Sequence, residues 1–263
     1  MMLGLPGCST LQPPDPNGPM ANESTYPFLY VADDVRRNAI SASLSSFSQP
    51  VDAVHGPTLQ PVTLTIESLG PGTGRPLYLP KLGTAAVMSE EETRESLRRF
   101  IREWQDLIGS DPGKLSLVAR VDQPDGSKQA NYEQRPFRYP IRGPFGKLQI
   151  GFAQNRQVLS MSSTCIPNAD RVQTTLAGIS VKLKSEDVIN QLVASPLIAA
   201  DSQPGITLQA TQLTPRELVT HVRRSKTNSE AIEFHLAWEV EVRNAPIKTV
   251  YVDAVNGEII AVE

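Results

Sequence analysis

The chain has 263 residues, of which 40% are hydrophobic and 20% are charged, and its formal net charge is −3. This length and composition suffice for the core of one large domain or of two modest ones. The sequence has no basic stripe with interleaved aromatic residues, which excludes the usual footprint of a nucleic-acid-binding protein. It also has no apolar run close to the roughly 20 residues of a membrane-spanning helix.

The N-terminal 22 residues indicate export across a membrane. Residues 5–8 read Leu-Pro-Gly-Cys and resemble the lipobox at which bacterial lipoproteins are cleaved and acylated, so Cys8 is the predicted lipidation site. The basic region and the longer apolar stretch of a full signal peptide are missing, and a chance match is the alternative. A proline-rich tether follows up to residue 22. We therefore predict an extracytoplasmic protein, either secreted or anchored as a lipoprotein through Cys8.

Residues 23–84 give few structural signals. Within them, residues 62–66 alternate between aliphatic and threonine side chains, which predicts a strand. A glycine-rich run at residues 70–76 then breaks the pattern. This run lacks the Lys-Ser/Thr pair of a phosphate-binding loop, so it predicts a turn.

The clearest predicted helix covers residues 89–108. Ser89 and Glu92 have the spacing of a capping box, in which each side chain accepts a hydrogen bond from the other residue's backbone amide. Gly109 is a typical helix stop. Apolar residues recur at intervals of three and four and form one stripe, made of Leu97, Phe100, Ile101, Trp104, Leu107 and Ile108. We expect this stripe to pack on a sheet, with Phe100 and Trp104 as its main anchors.

Antiparallel strands are predicted after this helix, and the same layout recurs in the second half of the chain. The first strands lie near residues 115–121, 130–134, 148–152 and 157–161. A second helix is predicted to follow a cap at residues 185–187, and further strands lie near residues 206–213 and 218–224. Each half therefore has one helix followed by antiparallel strands, which is an α+β architecture.

The C-terminal 30 residues contain the strongest strand signal. Apolar and mostly polar side chains alternate along residues 233–242, with Trp238 as the largest apolar anchor. Such alternation predicts a strand with one buried face and one solvated face. Asn256-Gly257 is a strong hairpin signal, because both residues tolerate positive φ. The chain is thus predicted to end in antiparallel strands.

Known catalytic motifs are missing from the sequence. None of the three histidines, His55, His221 and His235, lies in an H-E-x-x-H motif, and no G-x-S-x-G elbow occurs. His221 and His235 fall on predicted neighbouring strands, and a His pair with Glu233 or Glu239 has the residue types of a metal site. Polar residues on a solvated strand face are the simpler interpretation. We therefore predict no catalytic residue, no metal and no cofactor.

The first half resembles an FTP domain, the fungalysin/thermolysin propeptide motif. The resemblance covers the helical residues 96–109 and the strand at residues 115–118. It continues with a Tyr-x-Gln match at residues 132–134, a match to Leu-Pro-Val-x-Gly at residues 139–143 and two further strands at residues 147–150 and 157–160. Pro136 and Arg138 depart from the motif, which usually has an aromatic residue and a glycine there. The residues that match the motif in this half are Phe100, Trp104, Tyr132, Gln134, Pro140 and Gly143.

The second half resembles a PepSY domain. Residues 236–240 match its Leu-x-Trp-x-Val strand, and residues 252–259 match its closing Val-Asp-Ala-x-Thr-Gly-Glu segment, with Asn256 for the usual threonine. Trp238, Asp253 and Gly257 are the matching residues. The resemblance implies a cystatin-like/PepSY-like fold of two subdomains, each a helix packed on an antiparallel sheet. It divides the chain into an FTP-like domain at residues 85–165 and a PepSY-like domain at residues 166–263.

In that family the two domains precede a zinc metallopeptidase and act as its intramolecular chaperone and inhibitor. The resemblance therefore implies a non-enzymatic, propeptide-like module that binds and inhibits or chaperones a secreted metallopeptidase. Two alternatives stay open. The first alternative is a cell-envelope scaffold or adaptor of the same fold without a peptidase target. The second is the propeptide part of a longer zinc-peptidase precursor. The motif residues are expected to form the fold rather than to contact a partner.

Overall fold

The computed structural model describes residues 26–47, 57–69, 76–84, 87–135, 137–194, 196–197 and 205–263. These residues form antiparallel sheets covered by helices, which confirms the predicted α+β fold class. The predicted lipidation site Cys8 with its tether, most of the glycine-rich turn and the motif departure at Pro136 lie outside the described residues.

The elements follow one another in three groups. The N-terminal group consists of β1 (Phe28–Val31), α1 (Asp34–Phe47), β2 (Thr58–Leu59) and β3 (Ile66–Ser68). The middle group consists of α2 (Glu90–Glu103), α3 (Gln105–Ile108), β4 (Leu115–Asp122), β5 (Lys128–Gln134), β6 (Ile141–Arg142), β7 (Lys147–Phe152) and β8 (Val158–Ser163). The C-terminal group consists of α4 (Ala169–Ala177), α5 (Ser185–Ala194), β9 (Leu213–Arg224), β10 (Ala231–Val242), β11 (Thr249–Asp253) and β12 (Ile259–Val262).

The first sheet is an antiparallel meander in the order β4-β5-β7-β8, with helix α2 on one face. The helix buries Leu97, Phe100 and Ile101 completely, against sheet residues such as Ile150 and Phe152. Each fully buried side chain of this size contributes roughly 1.5–3 kcal/mol of transfer free energy. The predicted apolar stripe is therefore the main attachment of the helix to the sheet.

Helix α2 starts at the predicted signals and is interrupted near its end. The Ser89 hydroxyl accepts the Glu92 amide at 3.2 Å, and the Glu92 carboxylate accepts the Ser89 amide at 2.8 Å, so the capping box is confirmed. The helix breaks at Trp104, where φ is −104° and ψ is 17°, and the short α3 continues it. Gly109 then ends α3 with φ at +82°, as the sequence predicts.

The second sheet has the strand order β12-β11-β10-β9-β6, and β1 adds to β10. β1 and β11 share one edge of β10: β1 pairs with residues 231–234 and β11 with residues 237–241. Helices α4 and α5 cover one face, where Val172 packs near Phe234 and Val188 packs near Val240. On the opposite face Ile260 of β12 belongs to a small apolar cluster with residues of β9, β10 and β11. Both faces of the central strand β10 are therefore buried over most of its length.

The N-terminal group connects the two sheets. β1 extends the second sheet, whereas the residues after β3 reach the first sheet: Leu69 pairs with Met161 of β8 and Tyr78 pairs with Gln157, just before β8. Within the described residues, the N-terminal group thus lines the β8 edge of the first sheet and β4 forms its open edge. β6 lies before residue 165 but pairs in parallel with β9, so one strand crosses the predicted boundary at residues 165 and 166. The domain division itself stays a prediction.

Two predicted strands and one helix start are wrong. Residues 61–63 form a turn because the Gln60 side-chain oxygen accepts the amides of Val62 and Thr63, so only Ile66–Ser68 is a strand. Residues 206–213 contain a 3₁₀ turn at Ala210–Gln212 in place of a strand. The second helix begins at Ser185 itself, and the Asp187 carboxylate accepts the amide of Lys184, the residue before the helix, at 3.0 Å.

Gly143 gives a direct test of the contact between β6 and β9. Its φ is +94°, and a Cβ there would lie 2.3 Å from the carbonyl oxygen of Val222. The added methyl group would clash with the backbone of β9, which cannot shift without breaking its pairing, and alanine is strained at this φ. We therefore predict that Gly143→Ala lowers the free energy of unfolding by at least about 2 kcal/mol in chemical denaturation. Gly178→Ala is the matched control, since Gly178 has a helical φ of −82° and its added Cβ would meet its nearest atom at 3.5 Å. Equal stability of the two variants would contradict this packing.

Candidate functional site

Strand β4 is an open and partly apolar edge of the first sheet. In the part of the chain that the structure describes, β4 pairs with β5 alone. Leu117, Val118 and Val121 are 37%, 46% and 43% exposed. An edge strand presents unpaired amide and carbonyl groups that can pair with another polypeptide, and soluble proteins usually shield such edges. β4 is therefore the leading candidate for a binding surface.

A β-bulge makes this edge apolar on both faces. The pairing with β5 shifts between Leu117 and Ala119, so Val118 has no partner residue on β5. The alternation of side chains is reset at this point, and Val121 lies on the opposite face from Leu117. In the sequence Leu115, Leu117, Ala119 and Val121 alternate as residues of one strand face do, but the bulge moves Val121 to the other face.

A groove between α2 and β4 opens beside the same edge. It has a volume of about 380 Å³. Its lining residues are Arg94, Arg98, Ile101, Pro112, Leu115, Leu117 and Tyr132. The lining thus combines apolar side chains with two arginines and contains no carboxylate.

Tyr132 supplies a polar group inside the groove. The side chain is only 9% exposed, and its hydroxyl has no hydrogen-bond partner among the described residues. Burial raises the pKa of Tyr132 to about 12, so the hydroxyl remains protonated at neutral pH. The ring is buried but the hydroxyl oxygen keeps access to the groove, so it can donate a hydrogen bond to a ligand there.

Each of the two groove arginines is paired with a glutamate of α2. Arg94 lies 3.1 Å from Glu90, and Arg98 reaches Glu95 at 2.7 Å. Arg99 also bonds Glu95 at 2.8 Å, and the hydrogen bonds from Arg98 and Arg99 lower the pKa of Glu95 to about 2. The exposed Arg94–Glu90 pair is weak, so Arg94 can change partner at little cost, whereas Arg98 holds Glu95 through two hydrogen bonds, from Nε at 2.7 Å and from Nη2 at 3.1 Å.

The second sheet contains a buried polar network around Asp253. Both Asp253 and His235 are 0% exposed, and His235 Nδ1 lies 2.7 Å from Asp253 Oδ2. The Tyr26 hydroxyl donates to the same oxygen at 2.8 Å, and the amides of Val255 and Asn256 donate to Oδ1. Burial acts to raise the pKa of Asp253, but these hydrogen bonds outweigh it and hold the pKa below its usual range.

The network continues on the other side of His235. His235 Nε2 lies 3.3 Å from Glu233, which also accepts hydrogen bonds from Arg223 at 2.9 Å and from Ser225 at 2.7 Å. Arg223 in turn reaches Glu258 at 2.9 Å. Burial acts to raise the pKa of Glu233, but the bonds from Ser225, Arg223 and His235 lower it overall. The interpretation of this strand face as solvated is therefore wrong, because the face is covered and its polar groups pair internally.

This network has residue types that act in acid–base catalysis, but its geometry suits a structural role. The histidine and its aspartate partner are fully buried, and their side chains are engaged with other protein groups. Among the described residues, no group of three or more His, Cys, Asp or Glu side chains is arranged to hold a metal ion. What the network can do chemically is fix Tyr26 and the C-terminal hairpin to strand β10.

His221 lies directly opposite His235 across β9 and β10. It is 3% exposed, its ring centroid is 4.7 Å from that of Tyr251, and its Nδ1 has no hydrogen-bond partner. Burial is the main reason that the pKa of His221 falls to about 4, and the charges of His235 and Arg223 add to the effect. The folded protein therefore holds His221 neutral at physiological pH.

His221 makes stability depend on pH. Its pKa is about 4 in the folded state against 6.5 as the unperturbed value, so between these values the unfolded state binds the extra proton. Stability is then lost as the pH falls from about 6.5 to 4, by roughly 3 kcal/mol for a shift of this size. Asp253 loses its contribution at lower pH, below its unperturbed pKa of 3.8. We predict that His221→Phe flattens the dependence of the unfolding free energy between pH 4 and pH 6.5, measured by urea denaturation, and an unchanged slope would contradict this.

The motif residues of the first half mostly hold the fold. Phe100 is fully buried beside Trp104, and the Gln134 side chain exchanges two hydrogen bonds with the backbone of Ile166, at 2.8 and 2.9 Å. The Pro140 carbonyl accepts the Thr220 amide at 2.9 Å. Gly143 lies against β9, as described above. Tyr132 alone of this group lines the groove beside β4.

The motif residues of the second half lie in the second sheet, far along the chain from the groove. The Trp238 indole is only partly buried, and its N–H donates to the Leu183 carbonyl at 2.9 Å. Gly257 has φ at +80°, which confirms the expected positive φ, and its carbonyl accepts the Gln191 side chain. Asp253 is the centre of the buried network. The sequence predicts neither the groove nor this network, because each brings together residues from elements that are far apart along the chain.

The fold and this site define an α+β protein with an open, partly apolar sheet edge. No family model matches the chain, and no curated protein is significantly similar to it. Among solved structures, the chain is similar to the Bacillus megaterium YpeB C-terminal domain, with 10% identity and a TM-score of 0.29, over 89% of this chain and 97% of that one. A TM-score this low does not establish a common fold, so the FTP and PepSY resemblance stays a prediction. No helix among the described residues is long and apolar enough to cross a membrane.

Proposed function

We propose that the protein is a non-enzymatic, propeptide-like module that binds a secreted metallopeptidase and inhibits or chaperones it. The observation that carries the proposal is the open β4 edge with its exposed Leu117, Val118 and Val121. A partner strand that pairs with this edge would gain main-chain hydrogen bonds and bury these side chains. Such β-augmentation blocks the partner by occlusion and needs no catalytic group on this chain.

The buried network supports the non-enzymatic part of the proposal. A general acid or base must come within hydrogen-bond reach of a substrate. His235 and Asp253 have no exposed surface, and His221 is almost completely buried. A structural network therefore accounts for these residues better than a catalytic one.

The metallopeptidase partner and the extracytoplasmic location rest on the sequence resemblance and on the lipobox at Cys8. A cell-envelope scaffold or adaptor uses the same open edge for another partner, and a longer zinc-peptidase precursor places the partner on the same chain. The gene sequence beyond Glu263 separates the precursor from the other two, because an H-E-x-x-H motif downstream would identify the proenzyme. Metabolic labelling with palmitate tests the lipid anchor, with Cys8→Ser as the unlabelled control.

The β4 edge predicts how binding responds to substitution. We expect the purified protein to inhibit thermolysin-like metallopeptidases in a titration of peptidase activity. The double variant Val118→Lys/Val121→Lys should weaken inhibition at least about tenfold, because charge on an edge strand opposes pairing. Val193→Lys is the matched control: Val193 is 38% exposed but lies on α5, and its substitution should leave inhibition unchanged.

The outcome of that titration distinguishes a peptidase inhibitor from a scaffold, and binding at β4 from binding at another surface. Neither inhibition nor a stable complex with the wild-type protein would favour the scaffold or adaptor. Inhibition that survives the double variant would contradict the role of β4. Thermal denaturation of all three proteins shows whether a loss of inhibition reflects a loss of folding.

A further inference from the structure

We propose that the groove between α2 and β4 recognises an acidic side chain, carried by an extended partner segment that adds a strand beside β4. The inference rests on the proposed function and specifies the chemistry of the bound segment. It follows from the position of the groove, from the charge of its lining and from the unpartnered hydroxyl of Tyr132.

The position of the groove suits a side chain of an added strand. A strand paired with β4 would lie about 4.8 Å beyond it, and every second side chain would point towards the helix side of the sheet. Leu115 and Leu117 of β4 line the groove on that same side, next to Ile101 of α2. A side chain of the added strand on this face would therefore pass directly into the groove.

The charge of the lining favours a carboxylate. Arg94 and Arg98 are part of the lining, and none of the lining residues is acidic. Their partners Glu90 and Glu95 are not lining residues, although Glu90 also lies 3.8 Å from Arg120 of β4. The Tyr132 hydroxyl adds a neutral donor. A carboxylate accepts hydrogen bonds from all three groups, and bonds to ionised partners are the stronger kind.

The same lining discriminates against other side chains. A lysine or arginine side chain in the groove would be repelled by the like charges of the Arg94 and Arg98 guanidinium groups. An aliphatic side chain would leave the Tyr132 hydroxyl buried without a partner, which is costly in the bound state. The apolar walls, by contrast, suit the methylene groups of glutamate. Glutamate thus fits the groove better than an apolar or basic residue.

Synthetic peptides test this specificity on the full chain. The probe is a fluorescein-labelled seven-residue peptide with a central glutamate between valine and threonine residues, and the comparison peptides carry glutamine or lysine at the centre. Fluorescence anisotropy should show at least about tenfold tighter binding of the glutamate peptide than of the glutamine peptide. The lysine peptide should bind more weakly still. Equal affinities for the glutamate and glutamine peptides would overturn the proposal.

Two variants test the residues of the groove. Tyr132→Phe removes a hydroxyl that makes no hydrogen bond in the protein, so the fold should be kept while the glutamate peptide binds roughly tenfold more weakly. Arg98→Gln should weaken the glutamate peptide by a similar factor and leave the glutamine peptide nearly unchanged. Arg99→Gln is the matched control, because Arg99 bonds the same Glu95 but does not line the groove. Equal losses in the two arginine variants would overturn the role of the groove.

Peptidase titration of the same variants separates this inference from the proposed function. Selective binding of the glutamate peptide without inhibition of any metallopeptidase would support the specificity of the groove and contradict the proposal of a metallopeptidase partner. Inhibition that is unaffected by Tyr132→Phe and Arg98→Gln would support the proposed function and contradict the proposal that the groove recognises an acidic side chain of the partner.

Discussion

The buried carboxylate of Asp253 is the group on which the arrangement of the chain depends. It joins the hydroxyl of Tyr26, the ring of His235 and the amides of the turn after β11 at one point without exposed surface. Because an uncompensated buried charge costs several kcal/mol, the network is favourable only when all of these partners are in place. The placement of β1 is therefore tied to closure of the C-terminal hairpin, although Tyr26 and Asp253 are 227 residues apart.

The N-terminal part of the chain also reaches the first sheet. β1 lies on β10 of the second sheet, whereas Leu69 and Tyr78 pair with Met161 and Gln157 at the β8 edge of the first. One edge of the first sheet is thereby lined, and β4 forms the other edge of the sheet. The polar side chains of the two sheets also differ in their partners. The network around Asp253 in the second sheet pairs its ionisable groups internally, whereas the groove at β4 has two arginines and a hydroxyl that can face a ligand.

Local signals in the sequence predicted much of the fold. The capping box at Ser89, the stop at Gly109 and the strands of the first sheet are confirmed, because each depends on a few neighbouring residues. The bulge at Val118 was not predicted, since two adjacent apolar residues fit either face of a strand. The burial of His235 was missed for another reason: it depends on Tyr26 and on β12, which the pattern of β10 alone does not reveal.

The candidate site was harder to predict than the fold. Tyr132 was singled out as a motif residue, but its free hydroxyl follows only from how α2 lies over β4. The charged residues of α2, Arg94 and Arg98 among them, have the pattern of a solvated helix face, which fits their pairs with Glu90 and Glu95 but does not reveal that they line a groove. A binding surface formed by two elements leaves little trace in the periodicity of either one.

Hydrogen–deuterium exchange on the free protein and on the protein saturated with the glutamate peptide tests the central claim, that β4 and its groove bind the partner. The exposed amides of β4 should exchange rapidly in the free protein and become protected in the complex, together with the stretch of α2 around Arg98. The second sheet should show no change. Protection confined to the second sheet, or unchanged exchange along β4 in a saturated complex, would contradict the account.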